Sequence, residues 1–151
     1  GNLEIKSRTG CTIVGPRADR DRIPGIDIEV GNGDTFMLGE SIAQVFEVPG
    51  HTSGHIAYWF ADSNTLFCGD TLFALGCGRV FEGTMDQMWS SLSRLRDLPE
   101  TAQVYCAHEY TQANGRFALS VDPNNTALIK RMERINSQRE KDPTASSTLL
   151  L

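Results

Sequence analysis

Histidine is rare in this chain, and two of the three histidines follow apolar runs that are typical of strands. His51 comes directly after Val48-Pro49-Gly50, His108 comes soon after Tyr105-Cys106, and Asp70 follows a third such run. Because loops at strand ends are where a rigid scaffold presents functional groups, the three side chains can converge on one rim. Imidazole and carboxylate suit zinc, iron or manganese. A lone histidine in a turn is more often structural, so spacing alone leaves both interpretations open.

The length and composition indicate one globular domain with room for a small appendage. The chain has 151 residues, of which 40% are hydrophobic and 22% are charged. Both fractions are near the globular average, which excludes disordered and fibrous proteins. No apolar run approaches the roughly 18 residues that span a bilayer, and the N-terminus has no secretory hydrophobic region, so we expect no membrane attachment.

Charge and cysteine usage narrow the class of protein further. The formal net charge of −5 argues against binding to a nucleic-acid phosphate backbone. The cysteines form no C-x-x-C pair and match no zinc-finger spacing: Cys11, Cys68, Cys77 and Cys106. Cys68 and Cys106 lie within apolar runs, where a free thiol behaves as a small buried hydrophobe. We therefore expect a reducing, cytoplasmic compartment.

Short apolar runs bounded by turn residues predict strands in the first two thirds of the chain. They cover residues 12–14, 26–30, 35–38, 42–48, 56–60, 65–68 and, further on, 103–106. The Asn32-Gly33 turn predicts a hairpin between the second and third of these strands. Most of the loops are too short for helical crossovers, which favours antiparallel pairing.

Helical signals occur before Gly10, after Thr84 and again after residue 110. Thr84 and Gln87 form a capping box for a helix that ends before Pro99. This helix carries a stripe that we interpret as core packing: Met85, Met88, Trp89, Leu92 and Leu95. Two further helices are predicted from the spacing of Ala113, Phe117 and Val121 and of Leu128, Met132 and Ile135. Strands followed by helices indicate an α+β or layered α/β domain with a helical C-terminal appendage.

Four short motifs, in the same order, resemble those of one known family. Segment 49–55, PGHTSGH, is similar to the P-x-H-T-x-G-H signature of the metallo-β-lactamase superfamily. Segment 67–73, FCGDTLF, is similar to the one that carries the bridging aspartate of that superfamily. Segments 76–84, GCGRVFEGT, and 105–111, YCAHEYT, narrow the resemblance to the glyoxalase II family, the hydroxyacylglutathione hydrolases. The resemblance extends over roughly residues 1 to 148.

The resemblance implies an αββα sandwich that holds two divalent metal ions between its layers. His51 would ligate one ion, His108 would ligate the other, and Asp70 would bridge both as the catalytic carboxylate. His55 aligns with a histidine that is usually not a ligand, so we expect a structural role for it. Zinc is favoured, and iron and manganese accept the same ligands. Two such ions activate water near neutral pH and polarise a thioester carbonyl, so no protein nucleophile is needed.

The same resemblance implies that a glutathione thioester binds at the junction with the C-terminal helices. Members of the family hydrolyse S-D-lactoylglutathione to D-lactate and glutathione, a step in methylglyoxal detoxification. Arg79 would contact the peptide part of glutathione, Phe81 would pack against it, and Tyr110 would donate a hydrogen bond to it. An exposed, ion-pairing Arg79 and two core aromatic residues are the alternative interpretation.

The chain departs from the family pattern at both ends. The His-x-His-x-Asp-His motif that supplies the other metal ligands is absent, and residues 149–151 are three leucines with no polar cap. Residues 1–109 are therefore expected to form part of a metallo-β-lactamase-like domain, and residues 110–151 an incomplete helical substrate-binding region. We expect the isolated chain to be inactive, to bind metal poorly and to aggregate, and the full-length protein to be a monomer.

Two other functions fit the sequence less well. One is another enzyme of the superfamily, such as a persulfide dioxygenase with a single iron. The other is a truncated paralogue that binds a partner and catalyses nothing. The loop at residues 76–83 and the helical continuation after Tyr110 favour the glutathione thioester hydrolase, because they would supply its glutathione pocket.

Overall fold

The structure of the chain is a computed structural model that describes residues 1–142, 149 and 150. The helices are α1 (Asn2–Thr9), α2 (Met85–Arg96), α3 (Thr111–Val121) and α4 (Thr126–Lys141), with a short 3-10 helix at Arg17–Asp19. The strands are β1 (Val14–Pro16), β2 (Ile28–Val30), β3 (Thr35–Leu38), β4 (Ser41–Glu47), β5 (Ile56–Phe60), β6 (Thr65–Gly69), β7 (Leu72–Phe73), β8 (Gly76–Cys77), β9 (Gln103–Cys106) and β10 (Leu149–Leu150). The predicted elements are present, whereas β7, β8, β10 and the short 3-10 helix were not predicted.

A six-stranded sheet in the order β10-β9-β6-β5-β4-β3 organises the chain. Strands β3 to β6 form an antiparallel meander, as the short loops predict. Strand β9 then runs parallel to β6, because α2 provides the crossover between them. Two small sheets, parallel β1-β2 and antiparallel β7-β8, lie outside this sheet. The parallel pairing of β6 and β9 brings the C-terminal ends of both strands to the same edge.

One face of the large sheet packs against α2 and forms the main hydrophobic core. Its buried residues come from β5, β6, β9 and α2: Ala57, Trp59, Leu66, Cys68, Val104 and Leu95. A fully buried leucine-sized side chain stabilises the fold by roughly 2 kcal/mol, so this contact fixes the strands whose ends carry the polar residues. The burial of Cys68 confirms its expected role as a small hydrophobe.

The opposite face of the sheet is covered over only part of its width. Val45 and Tyr58 are cross-strand neighbours that pack with Val30 of β2. The same row continues across the sheet to Phe67 and Tyr105, whose rings stack with centroids 5.2 Å apart. These two side chains are 44% and 52% exposed. The uncovered aromatic end of this row agrees with the expectation that the sheet presents a hydrophobic face.

The hairpin predicted at Asn32-Gly33 is wrong. Strand β2 pairs with β1, and β3 pairs with β4 through the two-residue turn at Gly39-Glu40, where Gly39 has a φ of 62°. The Asn32-Gly33 turn instead carries the chain from the small sheet to the large one, and the Gly33 N–H donates to the Val45 carbonyl at 2.9 Å. Asn32-Gly33 is favourable for a hairpin turn, but the strands on its two sides pair with other strands. The turn therefore connects the small sheet to the large sheet.

The apolar stripe predicted on α2 is only partly buried. Met88 and Leu95 are buried, whereas Met85 and Trp89 are 74% and 63% exposed. The sheet contacts only one side of the helix, and the stripe is wider than that contact. Trp89 instead lies against Arg96, whose guanidinium carbon is 5.9 Å from the ring centroid.

The C-terminal helices pack against each other through a small residue. Gly115 of α3 lies so close to the Met132 side chain of α4 that a Cβ atom there would overlap the sulfur. Met132 and Ile135 are buried, while Phe117 and Val121 on the predicted apolar face of α3 are exposed. In the described part of the chain, no helix combines the length and apolar character needed to cross a membrane.

Replacing Leu95 with alanine should lower the free energy of unfolding by about 3 kcal/mol, because it leaves a cavity between α2 and the sheet. Met85→Ala on the same helix should change it by less than about 0.5 kcal/mol, because that side chain is exposed. Urea unfolding followed by circular dichroism measures both values. Equal losses in the two variants would contradict the placement of α2.

Candidate active site

The ends of three chain segments meet at one cleft of about 640 Å³. His51 follows β4, Asp70 follows β6 and His108 follows β9. The cleft is lined by these three residues and by Phe73, Cys77, Gly78, Arg79, Phe81, Tyr110, Ala113 and Asn114. All six residues singled out from the sequence as metal or substrate contacts therefore line the same cavity.

The Asp70 carboxylate lies between the two histidines. Its Oδ2 is 3.9 Å from His51 Nε2, and its Oδ1 is 3.4 Å from His108 Nε2. Each carboxylate oxygen thus faces a different imidazole. This is the orientation that a carboxylate needs in order to contribute one oxygen to each of two neighbouring cations.

A backbone carbonyl orients the His51 ring. His51 Nδ1 is 2.8 Å from the carbonyl oxygen of Arg79, which can only accept a hydrogen bond. Nδ1 therefore carries the proton, and in the neutral ring the lone pair resides on Nε2, the nitrogen that faces Asp70. Histidine ligands of metals are commonly held in this way by their second nitrogen. Phe81 lies against the same ring with centroids 5.0 Å apart.

His55 has a different role, since its Nε2 accepts a hydrogen bond from the Asp70 backbone N–H at 3.0 Å. That bond occupies the lone pair that a metal ion would need. Burial lowers the pKa of the His55 imidazole, which keeps the ring in the neutral form that can accept. Gly69, with a φ of 53°, packs directly on the His55 ring, where a side chain would not fit. His55 fixes the backbone of Asp70 and is not placed as a ligand.

His108 is the most exposed of the three candidate ligands, and aromatic rings hold it. Its ring stacks on Tyr110 with centroids 5.2 Å apart, and Phe73 packs against both rings. Glu109 forms an ion pair with Arg139 of α4. Partial burial opposes the ionisation of Glu109, but hydrogen bonds from Thr111 and Arg139 outweigh it and lower the pKa of the carboxyl. Helix α4 is thereby tied to the loop that carries His108.

The donor set fits a metal site in its chemistry, although it is open. Two imidazoles and a carboxylate suit zinc and similar divalent ions. Among the described residues, no three His, Cys, Asp or Glu side chains are gathered closely enough to hold an ion by themselves. Each of two ions beside Asp70 would receive one histidine and one carboxylate oxygen from this chain, fewer than the four ligands usual for zinc. Further ligands are needed to complete either shell.

The part of the cleft around Arg79 contains that one cation and several aromatic rings. Arg79, Phe81 and Tyr110 lie there as the motifs predicted, although neither Phe81 nor Tyr110 is a core residue, at 67% and 49% exposure. Sequence reasoning missed Phe73 and Asn114, which also line the cleft. Phe73 stands within a quoted motif, so its position was available, but nothing in the sequence distinguishes Asn114.

Two family models together match residues 4–151. Residues 4–108 match the model described as the metallo-beta-lactamase superfamily, which is more than half of the chain. The chain belongs to the metallo-β-lactamase superfamily. Residues 109–151 match the model described as the hydroxyacylglutathione hydrolase C-terminus. Membership of this superfamily implies divalent metal binding.

Curated relatives agree with this membership. A hydroxyacylglutathione hydrolase of Methylococcus capsulatus is 57% identical over 150 residues, which cover 99% of this chain and 59% of the relative. One of Hyphomonas neptunium is 53% identical over 150 residues, with the same coverage of 99% and 59%. The predicted resemblance to this family is confirmed. The chain spans about 59% of the length of these relatives.

Solved structures of other proteins have a fold similar to that of this chain. ETHE1 from Myxococcus xanthus superposes with a TM-score of 0.64 at 34% identity, covering 71% of this chain and 47% of that chain. The predicted fold class, a metallo-β-lactamase-like α/β arrangement with C-terminal helices, is confirmed.

Replacing His55 with alanine should speed hydrogen exchange of the Asp70 backbone amide by about fivefold, because a hydrogen bond of about 1 kcal/mol is lost. His55→Gln supplies an amide oxygen as acceptor and should restore most of the protection. Hydrogen exchange followed by NMR or mass spectrometry measures both. Unchanged exchange at Asp70 in the alanine variant would show that His55 does not hold this segment.

Proposed function

We propose that this chain is part of a metal-dependent hydrolase that cleaves S-D-lactoylglutathione to D-lactate and glutathione. The observation that carries the proposal is one cleft that combines metal-ligand side chains with side chains suited to a charged peptide: His51, Asp70, His108, Arg79, Phe81 and Tyr110. The match of residues 109–151 to the hydroxyacylglutathione hydrolase C-terminus supports the same substrate.

In this proposal two zinc ions bind beside Asp70. His51, Asp70 and His108 would hold these ions from this chain, in keeping with the way the two carboxylate oxygens face the two rings. When bound, such a pair lowers the pKa of water and polarises a thioester carbonyl. The protein's own part is to keep His51 Nε2 unprotonated and to present the negative charge of Asp70 between the ions.

Glutathione would bind on the side of the cleft that faces α3. The guanidinium group of Arg79 presents a planar fork that matches a carboxylate, and glutathione carries carboxylates. The ring of Phe81 provides an apolar surface next to His51, and the Tyr110 hydroxyl provides a hydrogen-bond donor. In this arrangement residues 1–109 hold the metal side, and residues 110–151 support the substrate side.

The glutathione thioester hydrolase is favoured over the alternatives. The hydroxyacylglutathione hydrolase of M. capsulatus matches 99% of this chain, including the C-terminal helices, whereas the ETHE1 structure covers 71% of it. The presence of His51, Asp70 and His108 together at the cleft also speaks against a non-catalytic binding module. The expectations of a cytoplasmic compartment, a monomeric full-length protein and an inactive isolated chain stay predictions.

A fusion tests the proposal, with a segment that carries the family's His-x-His-x-Asp-His motif placed before Gly1. Loaded with zinc, the fusion should hydrolyse S-D-lactoylglutathione, and Asp70→Asn should lower kcat/KM by more than the roughly 100-fold that loss of an outer partner of a metal ligand costs. Asp97→Asn, an exposed residue at the end of α2, is the matched control and should leave the rate unchanged. Loss of the ultraviolet absorbance of the thioester follows the reaction.

Equal rates for Asp70→Asn and the parent fusion would contradict the proposal. So would a folded, zinc-loaded fusion that does not cleave the glutathione thioester.

A further inference from the structure

The Glu82 carboxylate, just outside the cleft, joins two loops of the candidate site. Its Oε2 accepts hydrogen bonds from the Ser53 backbone N–H at 2.8 Å and from the Ser53 hydroxyl at 3.0 Å. Arg22 donates to both oxygens, from Nη1 at 2.6 Å and from Nη2 at 3.1 Å. One carboxylate thus receives four hydrogen bonds from two segments that are distant in sequence.

Arg22 is itself held by a hydrogen bond to Asp19. Its Nε donates to Asp19 Oδ1 at 3.2 Å, and Asp19 is only 8% exposed. The Asp19 carboxylate packs on the backbone at Gly54, where a side chain would overlap it. A series of hydrogen bonds therefore runs from the buried Asp19 carboxylate through Arg22 to Glu82. It ends at the loop that carries Ser53.

The two joined loops hold the residues that the proposed function uses. Ser53 lies two residues after His51, and Glu82 directly follows Phe81. Two more hydrogen bonds join these loops: the Gly83 N–H donates to the Gly50 carbonyl at 3.1 Å, and His51 Nδ1 donates to a carbonyl of the second loop at 2.8 Å. The distance between the loops determines whether the His51 bond can form.

We propose that Glu82, held by Arg22, is a positioning residue that fixes the second loop against the first and so directs His51 Nε2 toward Asp70. Neither Glu82 nor Arg22 lines the cleft, so both act through the loops and not on the substrate. The inference rests on the proposed function insofar as it takes His51 as a metal ligand and Phe81 as a substrate contact.

The charge state of the network suits this role. Hydrogen bonds from Arg22 and then from Ser53 lower the pKa of Glu82 to about 2, so the carboxylate is ionised near neutral pH. Because the Arg22 and Glu82 side chains are 50% and 35% exposed, water screens their attraction. The network is therefore better suited to fixing geometry than to stabilising the fold.

The chain offers a matched control at the turn between the two sheets. Asp34 also receives an arginine, Arg17 at 3.1 Å, and a backbone N–H, that of Gly31 at 2.8 Å. It lies outside the cleft and touches neither loop of the Glu82 network. Asp34→Ala therefore removes the same kind of interaction without changing the position of His51.

The test compares Glu82→Ala, Glu82→Gln and Asp34→Ala by two readouts. The first is ¹⁵N NMR of the His51 ring without metal, in which Glu82→Ala should raise the fraction of the tautomer protonated at Nε2. The second is the Zn²⁺ dissociation constant of the same variants made in the fusion that restores the His-x-His-x-Asp-His segment, from competition with a chelating dye, which should rise about tenfold in Glu82→Ala. Glu82→Gln retains an oxygen for Ser53 and should fall between the parent and the alanine variant, while Asp34→Ala should match the parent in both readouts.

The inference is overturned if Glu82→Ala changes the His51 tautomer and the zinc dissociation constant no more than Asp34→Ala does. The inference is also overturned if Glu82→Ala and Asp34→Ala both lower thermal stability while the His51 tautomer stays unchanged. Glu82 would then have only a structural role. A tautomer shift in a protein that binds no zinc supports the positioning role and refutes the proposed metal site. The two claims can therefore fail separately.

Discussion

The site depends on one constraint, the fixed position of the Asp70 backbone at the end of β6. The Asp70 N–H donates to His55, and its carbonyl lies against Gly78, where no side chain would fit. With both backbone groups held, the carboxylate can face His51 on one side and His108 on the other. The parallel pairing of β6 with β9 brings His108 to the same edge. The rest of the fold serves to keep these strand ends in register.

The loops around Asp70 are held by contacts with other segments of the chain. The carbonyl of Arg79 orients His51, and the ion pair of Glu109 with Arg139 connects the His108 loop to α4. Helix α4 therefore contributes to holding the loop that carries His108.

The sequence placed the candidate ligands correctly at strand ends, because strand and turn signals are local. His51, Asp70 and His108 each stand at a strand end that alternation and turn residues identify in the sequence. The wrong predictions concern features that tertiary contacts determine. The Asn32-Gly33 turn has hairpin chemistry but crosses between sheets, and helical spacing groups Trp89 with Met88 although the sheet covers only Met88. The Glu82 network joins residues too far apart in sequence for any local pattern to indicate it.

The central claim is that Asp70 lies between two metal positions, one beside each of its partner histidines. Anomalous diffraction at the zinc absorption edge, from crystals of the zinc-loaded fusion that carries the His-x-His-x-Asp-His segment, tests it most directly. The account predicts zinc next to Asp70, with His51 and His108 bound through Nε2. Zinc bound through His55, through Nδ1 of His51, or away from Asp70 would contradict it.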